Sequence, residues 1–261
     1  MDLGLKEVPA AVAGASKGLG YAVALELATE GARVAICSRD SERIKTAASS
    51  IEKQTGAQVH PIVADVSKPD GAESFVNEAA TALGGLQVLV ANAGGPNPAA
   101  ASTATDQEWL EALDLNFLSA VRMVRSCLPY LKAAPFGRVV CITSISVKQP
   151  MSNLVFSNAV RSATTSFAKT LSMEVGADNI TVNCVLPGQI ATDRLRYLSG
   201  APADAGPDHP AFQAMASQIP MGRIGTPEEF AAVVTFLCSA RASFLSGVAL
   251  QVDGGYFKGL L

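Results

Sequence analysis

The stretch AAVAGASKGLG, residues 10–20, decides the fold of this chain. It begins with a short apolar run typical of a buried strand and continues into a turn with three glycines, Gly14, Gly18 and Gly20. Glycines permit a tight turn and let backbone N–H groups approach a diphosphate, to which the N-terminus of a following helix adds partial positive charge. This order of strand, turn and helix predicts a dinucleotide-binding site. The turn residues predicted to form it are Gly14, Ser16, Lys17, Gly18, Leu19 and Gly20.

Short apolar runs with helical patterns between them set the fold class. The runs occupy residues 10–14, 32–38, 58–64, 86–94, 137–144, 180–188 and 248–255. The helical patterns include residues 19–31, which end at Gly31, and residues 106–131. Strands that are apolar throughout and separated by helices predict a parallel sheet covered on both faces. We therefore expect a doubly wound α/β fold, the Rossmann fold, as a single domain over residues 1–261.

The composition is typical of a globular chain and argues against a nucleic-acid or membrane partner. Hydrophobic residues make up 49% and charged residues 16% of the 261 residues. A net charge of -3 supplies no basic field for a phosphate backbone. The N-terminal residues lack the pattern of a secretory signal, and no apolar run reaches the roughly 18 residues of a transmembrane helix.

The cysteines and histidines favour a cytoplasmic protein without a metal site. The cysteines have no C-x-x-C spacing and mostly lie in apolar runs, as reduced core cysteines do. They are Cys37, Cys127, Cys141, Cys184 and Cys238. Only two histidines, His60 and His209, are present, and neither belongs to a cluster with cysteines or carboxylates. We expect no bound metal.

The end of the second predicted strand indicates which dinucleotide binds. An NAD-specific protein needs a carboxylate there to accept hydrogen bonds from the adenosine ribose, and this chain has Ser38. Arg39, together with Lys17 of the turn, could instead pair with a 2′-phosphate. NADP(H) is therefore preferred over NAD(H). The alternative is that both cations are ordinary solvated charges beside Asp40.

Two further segments invite predictions. The stretch GAPADAGPDHPA, residues 200–211, predicts a mobile surface loop within a substrate lid at about residues 190–215, or else a tolerated insertion. The apolar stretch FLSGVALQV, residues 244–252, is predicted to help bury a subunit contact.

Seven motifs in order resemble the short-chain dehydrogenase/reductase family, from Pro9 to Tyr256. They are GASKGLG at 14–20, Asp65-Val66, Asn92-Ala93-Gly94, Asn116, ITS ending at Ser144, Pro187-Gly188 through Ile190 to Thr192, and RIGTPEEFAAVVTFLCS with SGVALQVDGG at the C-terminus. The resemblance implies a homodimer or homotetramer and adds Asp65, Val66, Asn92, Gly94, Pro187, Gly188, Ile190 and Thr192 to the cofactor-binding residues. It also implies that Ser144 hydrogen-bonds a substrate carbonyl or alcohol and that Asn116 holds a proton-relay water.

The catalytic pair of that family is altered in this chain. The family places a tyrosine thirteen residues after the serine and a lysine four residues later, where this chain has Ser157 and Arg161. A serine hydroxyl is a much weaker acid than a phenol, and a guanidinium with a pKa above about 12 can bind but cannot relay protons. Arg161 could still bind the nicotinamide ribose.

Three interpretations of the chain's function remain, two of which follow from this altered pair. The first is an NADP(H)-dependent oxidoreductase, similar to 3-oxoacyl reductases, acting on a small carbonyl or alcohol with a proton from Tyr197 or from water held by Asn116, Ser144 and Ser157. The second is a non-catalytic NADP(H)-binding structural or sensor protein. The third, a hydrolase with GASKG at 14–18 as its nucleophile elbow, is disfavoured because His209 lies in the proline-rich segment.

Overall fold

The sheet of this computed structural model, which describes residues 1–206 and 208–260, has the predicted doubly wound topology. Its parallel strands are β1 (Pro9–Val12), β2 (Arg33–Ser38), β3 (Val59–Val63), β4 (Val88–Ala91), β5 (Gly137–Ile142), β6 (Ile180–Pro187) and β7 (Ala249–Val252). Their order across the sheet is β3-β2-β1-β4-β5-β6-β7, so the direction of winding reverses between β1 and β4. Six of the seven apolar runs contain one of these strands, and β1 begins one residue before the run 10–14.

Helices cover both faces of the sheet. They are α1 (Gly18–Thr29), α2 (Ser41–Thr55), α3 (Pro69–Leu83), α4 (Asp106–Leu113), α5 (Ser119–Ala133), α6 (Val155–Glu174), α7 (Asp193–Ser199), α8 (Gln213–Ala216) and α9 (Pro227–Cys238). Helices α3, α5 and α6 pack on one face, and α1, α2 and α9 pack on the other. The single-domain Rossmann architecture is confirmed.

The central strand explains why the sheet is apolar throughout. Successive side chains of a strand point to opposite faces. In β1, Ala11 packs into the core beneath α3 and α5, whereas Ala10 and Val12 pack into the core beneath α1 and α9. All three residues are fully buried, so neither face of this strand tolerates a polar residue.

The predicted lid segment has a small apolar core of its own. Helix α7 and the start of α8 lie in the segment, and its buried side chains Ala191, Leu195, Ala205 and Phe212 pack with Ile219 and Ile224 just beyond the segment. The stretch 200–211, predicted as a mobile loop, contributes Ala205 to that core, and Phe212 directly follows the stretch, while Pro207 lies outside the described residues. Within the described residues, no helix combines the length and apolar character that a membrane crossing requires.

Candidate active site

A cavity of about 480 Å³ lies at the carboxyl ends of the strands, where the strand order reverses. Ligands of open α/β sheets bind at this switch point. Most of the predicted site residues line the cavity, and the two that do not are Gly20 and Asn116. Those in the wall are Gly14, Ser16, Lys17, Gly18, Leu19, Ser38, Arg39, Asp65, Val66, Asn92, Gly94, Ser144, Ser157, Arg161, Pro187, Gly188, Ile190 and Thr192.

The glycine turn has a backbone that only glycine adopts without strain. Gly14 and Gly18 have φ angles of 60° and 61°, in the left-handed region. Gly20 does not reach the cavity; a Cβ atom there would overlap the carbonyl oxygen of Gly14, so its role is to let α1 pack directly beneath the turn. The side-chain amide of Asn92 donates to the carbonyl oxygens of Ala13 and Gly14, each at 3.2 Å, and fixes the turn from β4.

The β2 end of the cavity carries a serine and two arginines. The Ser38 hydroxyl donates to the main-chain oxygen of Asp40 at 3.0 Å. The Asp40 carboxylate caps α2 by accepting from the Arg43 N–H at 3.0 Å, and it lies 3.2 Å from the Arg43 guanidinium. Arg39 is exposed, and Arg43 also lines the cavity. Arg43 was not predicted, because its place depends on how α2 turns back towards β2.

Within the described residues, Lys17 pairs with a carboxylate of the lid segment. Its ammonium lies 2.8 Å from the Asp193 carboxylate at the start of α7, so it ties the glycine turn to the lid segment. The hydrogen bond from Lys17, aided by the charges of Lys17 and Arg196, lowers the pKa of Asp193. Both partners of the ion pair are more than half exposed, at 57% and 55%, so the pair can exchange for another anion at little cost.

Three serines form a hydrogen-bonded group at the end of β5. Ser144 Oγ accepts from the Ser146 N–H at 3.1 Å, and Ser146 Oγ lies 3.1 Å from Ser157 Oγ in the first turn of α6. Tyr197, the proposed substitute phenol, is 66% exposed and does not line the cavity in the described part of the chain. The hydroxyl-bearing side chains of Ser144 and Ser157 therefore line this part of the cavity.

Arg161 follows Ser157 by one helical turn and is buried. One of its amino groups (Nη1) donates to the Ile142 carbonyl oxygen at 3.0 Å. Burial, assisted by the charge of Arg194, lowers the pKa of Arg161 to about 10. The expectation of an unchanged value above about 12 is wrong, because it ignored desolvation. The guanidinium is still protonated at neutral pH and still cannot relay a proton there.

Asn116 lies behind the cavity wall, in a π-helical turn at Asp114–Leu118 that interrupts the predicted helix 106–131. Such turns free main-chain groups from the regular helix pattern, and the Asn116 carbonyl oxygen accepts from the Thr164 hydroxyl of α6 at 2.8 Å. The side-chain amide donates to Gly94 at 2.8 Å. Its Oδ1 is buried and has no hydrogen-bond partner among the described residues, which leaves an acceptor for a water molecule.

Arg194 was missed by the sequence analysis although it lies in the predicted lid segment. Its guanidinium lines the cavity and donates to the Pro96 carbonyl oxygen at 2.6 Å. It lies close to Gly95, where a Cβ atom would be 2.7 Å from Nε. Two consecutive glycines, Gly94 and Gly95, were the available signal that something approaches that backbone closely.

The doubly wound sheet, the glycine turn and the cavity at the switch point define a Rossmann-type nucleotide-binding protein. A family model described as Enoyl-(Acyl carrier protein) reductase matches residues 14–257. The chain belongs to the short-chain dehydrogenase/reductase family. The resemblance seen in the motifs is thereby confirmed.

Relatives of the chain cover almost its whole length. The 3-oxoacyl-acyl-carrier-protein reductase FabG of Chlamydia muridarum is 33% identical over 94% of this chain and 96% of its own. The L-sorbose reductase of Gluconobacter frateurii, solved with NADPH and L-sorbose, has a TM-score of 0.93 and 35% identity, with both chains fully covered. A Pseudomonas aeruginosa short-chain oxidoreductase, solved with NADPH and described as containing an atypical catalytic center, has a TM-score of 0.90 and 31% identity over 98% of this chain and 99% of its own.

Proposed function

We propose that this protein is an NADP(H)-dependent oxidoreductase that interconverts a carbonyl compound and its alcohol with Ser157 and Arg161 in place of the family's tyrosine and lysine. One observation carries the proposal: a single cavity joins the glycine turn to Ser144, Ser157 and the buried cation of Arg161. A reaction like that of 3-oxoacyl reductases is supported by the similarity to one such enzyme.

The choice of NADP(H) is supported by similar structures and by the residues at the end of β2. Similar structures of the family contain NADPH or NADP. In this chain, Ser38 leaves no carboxylate at the end of β2, and Arg39 and Arg43 line the cavity there. The Asp40 carboxylate is engaged by Arg43 and the start of α2, so it does not compete for a ribose hydroxyl. These residues fit a 2′-phosphate.

The chemistry divides between the cofactor and the chain. Bound NADPH would supply a hydride to the carbonyl carbon, and the oxygen would take a proton to give the alcohol and NADP⁺. Ser144 donates a hydrogen bond to the carbonyl oxygen of the substrate. Ser146 links Ser144 to Ser157, because its N–H donates to Ser144 Oγ and its hydroxyl lies within hydrogen-bond distance of Ser157 Oγ. Arg161 stabilises negative charge developing on the oxygen. The proton is supplied by solvent through water held by Asn116, Ser144 and Ser157, and the positive charge of Arg161 compensates for the weak acidity of water and of the serine hydroxyls.

We also propose a cytoplasmic homodimer or homotetramer. In the stretch 244–252, Phe244 is fully exposed, and Leu245 and Leu250 are each 39% exposed. Apolar side chains clustered in this way favour a subunit contact. Light scattering of the purified protein should give two or four times the chain mass of 26.9 kDa, and Phe244→Asp should lower the measured mass. A monomeric wild-type protein would contradict this assembly.

The test is a fluorescence titration with NADPH and NADH, followed by a carbonyl and alcohol panel on the wild type and on Ser157→Tyr/Arg161→Lys. Tight NADPH binding with wild-type turnover supports the proposal. Turnover by the double variant alone would instead identify a non-catalytic NADP(H)-binding protein. Failure to bind either nucleotide would remove the basis of the proposal.

A further inference from the structure

Two arginines line the same cavity as Ser144 and Ser157. Arg161 comes from α6, Arg194 comes from α7, and both line the cavity. Each guanidinium has five N–H groups. In the described residues, each makes one hydrogen bond, from Arg161 to the Ile142 carbonyl oxygen and from Arg194 to the Pro96 carbonyl oxygen. Most of their donors are therefore available to a ligand.

No carboxylate of the chain neutralises this pair. Within residues 1–206 and 208–260, neither arginine has a carboxylate oxygen within 4.0 Å. The acidic residues of the cavity wall are engaged elsewhere. Asp40 is held by Arg43, Asp65 by Ser67, and Asp193 by Lys17 and Arg196. The β5 and α6 end of the cavity thus carries two positive charges without a counter-charge.

The fold holds Arg194 in this position at a cost. Arg161 is only 9% exposed. The two cations repel each other, and the charge of Arg194 contributes, after burial, to the lowered pKa of Arg161. Gly95 admits the second guanidinium because it lacks a Cβ atom, which would lie 2.7 Å from Nε and 2.9 Å from Cζ of Arg194. An anion between the two arginines would relieve the repulsion and use their free donors.

We infer that the substrate is a carbonyl compound that also carries a carboxylate, which Arg194 binds while Ser144 holds the carbonyl oxygen. This inference rests on the proposed function. Planar guanidinium groups match carboxylates through paired hydrogen bonds, whereas a neutral sugar or ketone would leave both charges unpaired. The apolar side chains of Met151, Leu154 and Leu198 line the cavity and provide contacts for the remainder of the substrate.

The diphosphate of the cofactor is the other anion that could reach Arg194, and the test separates the two. Calorimetry on the NADP⁺-saturated protein compares benzoylformate with its methyl ester, and pyruvate with its methyl ester. We expect each carboxylate to bind at least about tenfold more tightly than its ester. In Arg194→Gln the ratio should fall to about twofold or less, and Arg194→Lys should recover part of it. Arg241→Gln, an equal charge change on the far surface, should keep the wild-type ratio.

Three outcomes would overturn the inference. They are equal or absent binding of the carboxylates by the wild type, a preference that survives in Arg194→Gln, and a loss of NADPH affinity in that variant as large as the loss for the carboxylates. The last would assign Arg194 to the diphosphate. None of them contradicts the proposed function, which fails separately if the wild type binds no NADPH or turns over no carbonyl compound.

Discussion

The cavity end next to β1 is built from glycines and main-chain atoms, whereas the end next to β5 and α6 is built from side chains. At the first end, Gly14 and Gly18 are fixed by their backbone angles, and Asn92 holds the turn through main-chain oxygens. At the second end, the proposed chemistry depends on the identities of Ser157 and Arg161. Backbone sites tolerate little change, while side-chain sites can change their chemistry without changing the fold.

The largest effect that separates the two ends is expected at Gly20. A Cβ atom in Gly20→Ala would overlap the Gly14 carbonyl oxygen and the Asn92 amide, so the turn must move. We expect NADPH to bind about 100-fold more weakly, equivalent to about 2.7 kcal/mol. Gly176→Ala is the matched control, because no atom lies within 4 Å of the Cβ position there. Equal NADPH affinities of the two variants, measured by fluorescence titration, would contradict the role of Gly20.

Two buried arginines, Arg138 and Arg161, are expected to differ in how much each contributes to stability and to ligand binding. Arg138, only 1% exposed, donates to the carbonyl oxygens of Ser239, Gly137 and Asn179. Arg161 donates to one carbonyl oxygen. Arg138→Met should lower the free energy of unfolding by about 2–4 kcal/mol, because three acceptors lose their donor.

Arg161→Met should cost less stability, because only one carbonyl oxygen, that of Ile142, loses its donor. It should instead weaken ligand binding in the cavity. Denaturant unfolding and NADPH titration of both variants provide the comparison. The assignment is wrong if Arg161→Met is the less stable variant.

The preference for NADPH over NADH depends on side chains at the end of β2, which adjoins the glycine turn. Ser38→Asp introduces the carboxylate that accepts from ribose hydroxyls and repels a 2′-phosphate. The ratio of NADPH to NADH affinity should fall by about tenfold or more. Ser67→Asp, a charge-matched change next to Asp65 rather than at the end of β2, should alter the ratio less. An unchanged ratio in Ser38→Asp would mean that the 2′-phosphate does not lie near β2.

The smallest effect concerns the start of α9, outside the cavity. The ion pair with Arg223, followed by the hydrogen bond from Thr226, lowers the pKa of Glu229 from 4.5 to about 2. Because the folded-state pKa is depressed, this contribution to stability is present above pH 4.5 and is lost as the pH falls towards 2.

Thermal unfolding should therefore detect the loss of this ion pair. Glu229→Gln should lower Tm by only about 1–2 °C near neutral pH, since the ion pair is exposed. The decrease should be smaller near pH 2, because Glu229 is then partly protonated in the wild type. Glu228→Gln, at the neighbouring exposed carboxylate, serves as the control. A difference in Tm that persists unchanged at pH 2 would contradict the ion-pair assignment.

The sequence predicted the fold better than the side-chain contacts of the cavity. Apolar runs and glycine turns are local signals, and each of the seven runs overlaps a strand of the sheet. The π-helical turn at Asn116, the Lys17–Asp193 pair and the approach of Arg194 to Gly95 depend on contacts between distant segments. Periodicity and spacing carry no information about such contacts. The proposed departures at Ser157 and Arg161 rest on the spacing of the flanking motifs, which is a local signal.

The most direct test of the account is a deuterium-transfer experiment on the wild-type protein. NADPH labelled with deuterium at C4, on either face in separate samples, is mixed with the enzyme and a 3-oxo ester or benzoylformate. Mass spectrometry of the product then reports the label. The account predicts an alcohol with one deuterium on the carbinol carbon from one of the two labelled samples. Labelled alcohol from Ser157→Tyr/Arg161→Lys, with none from the wild type, would contradict it.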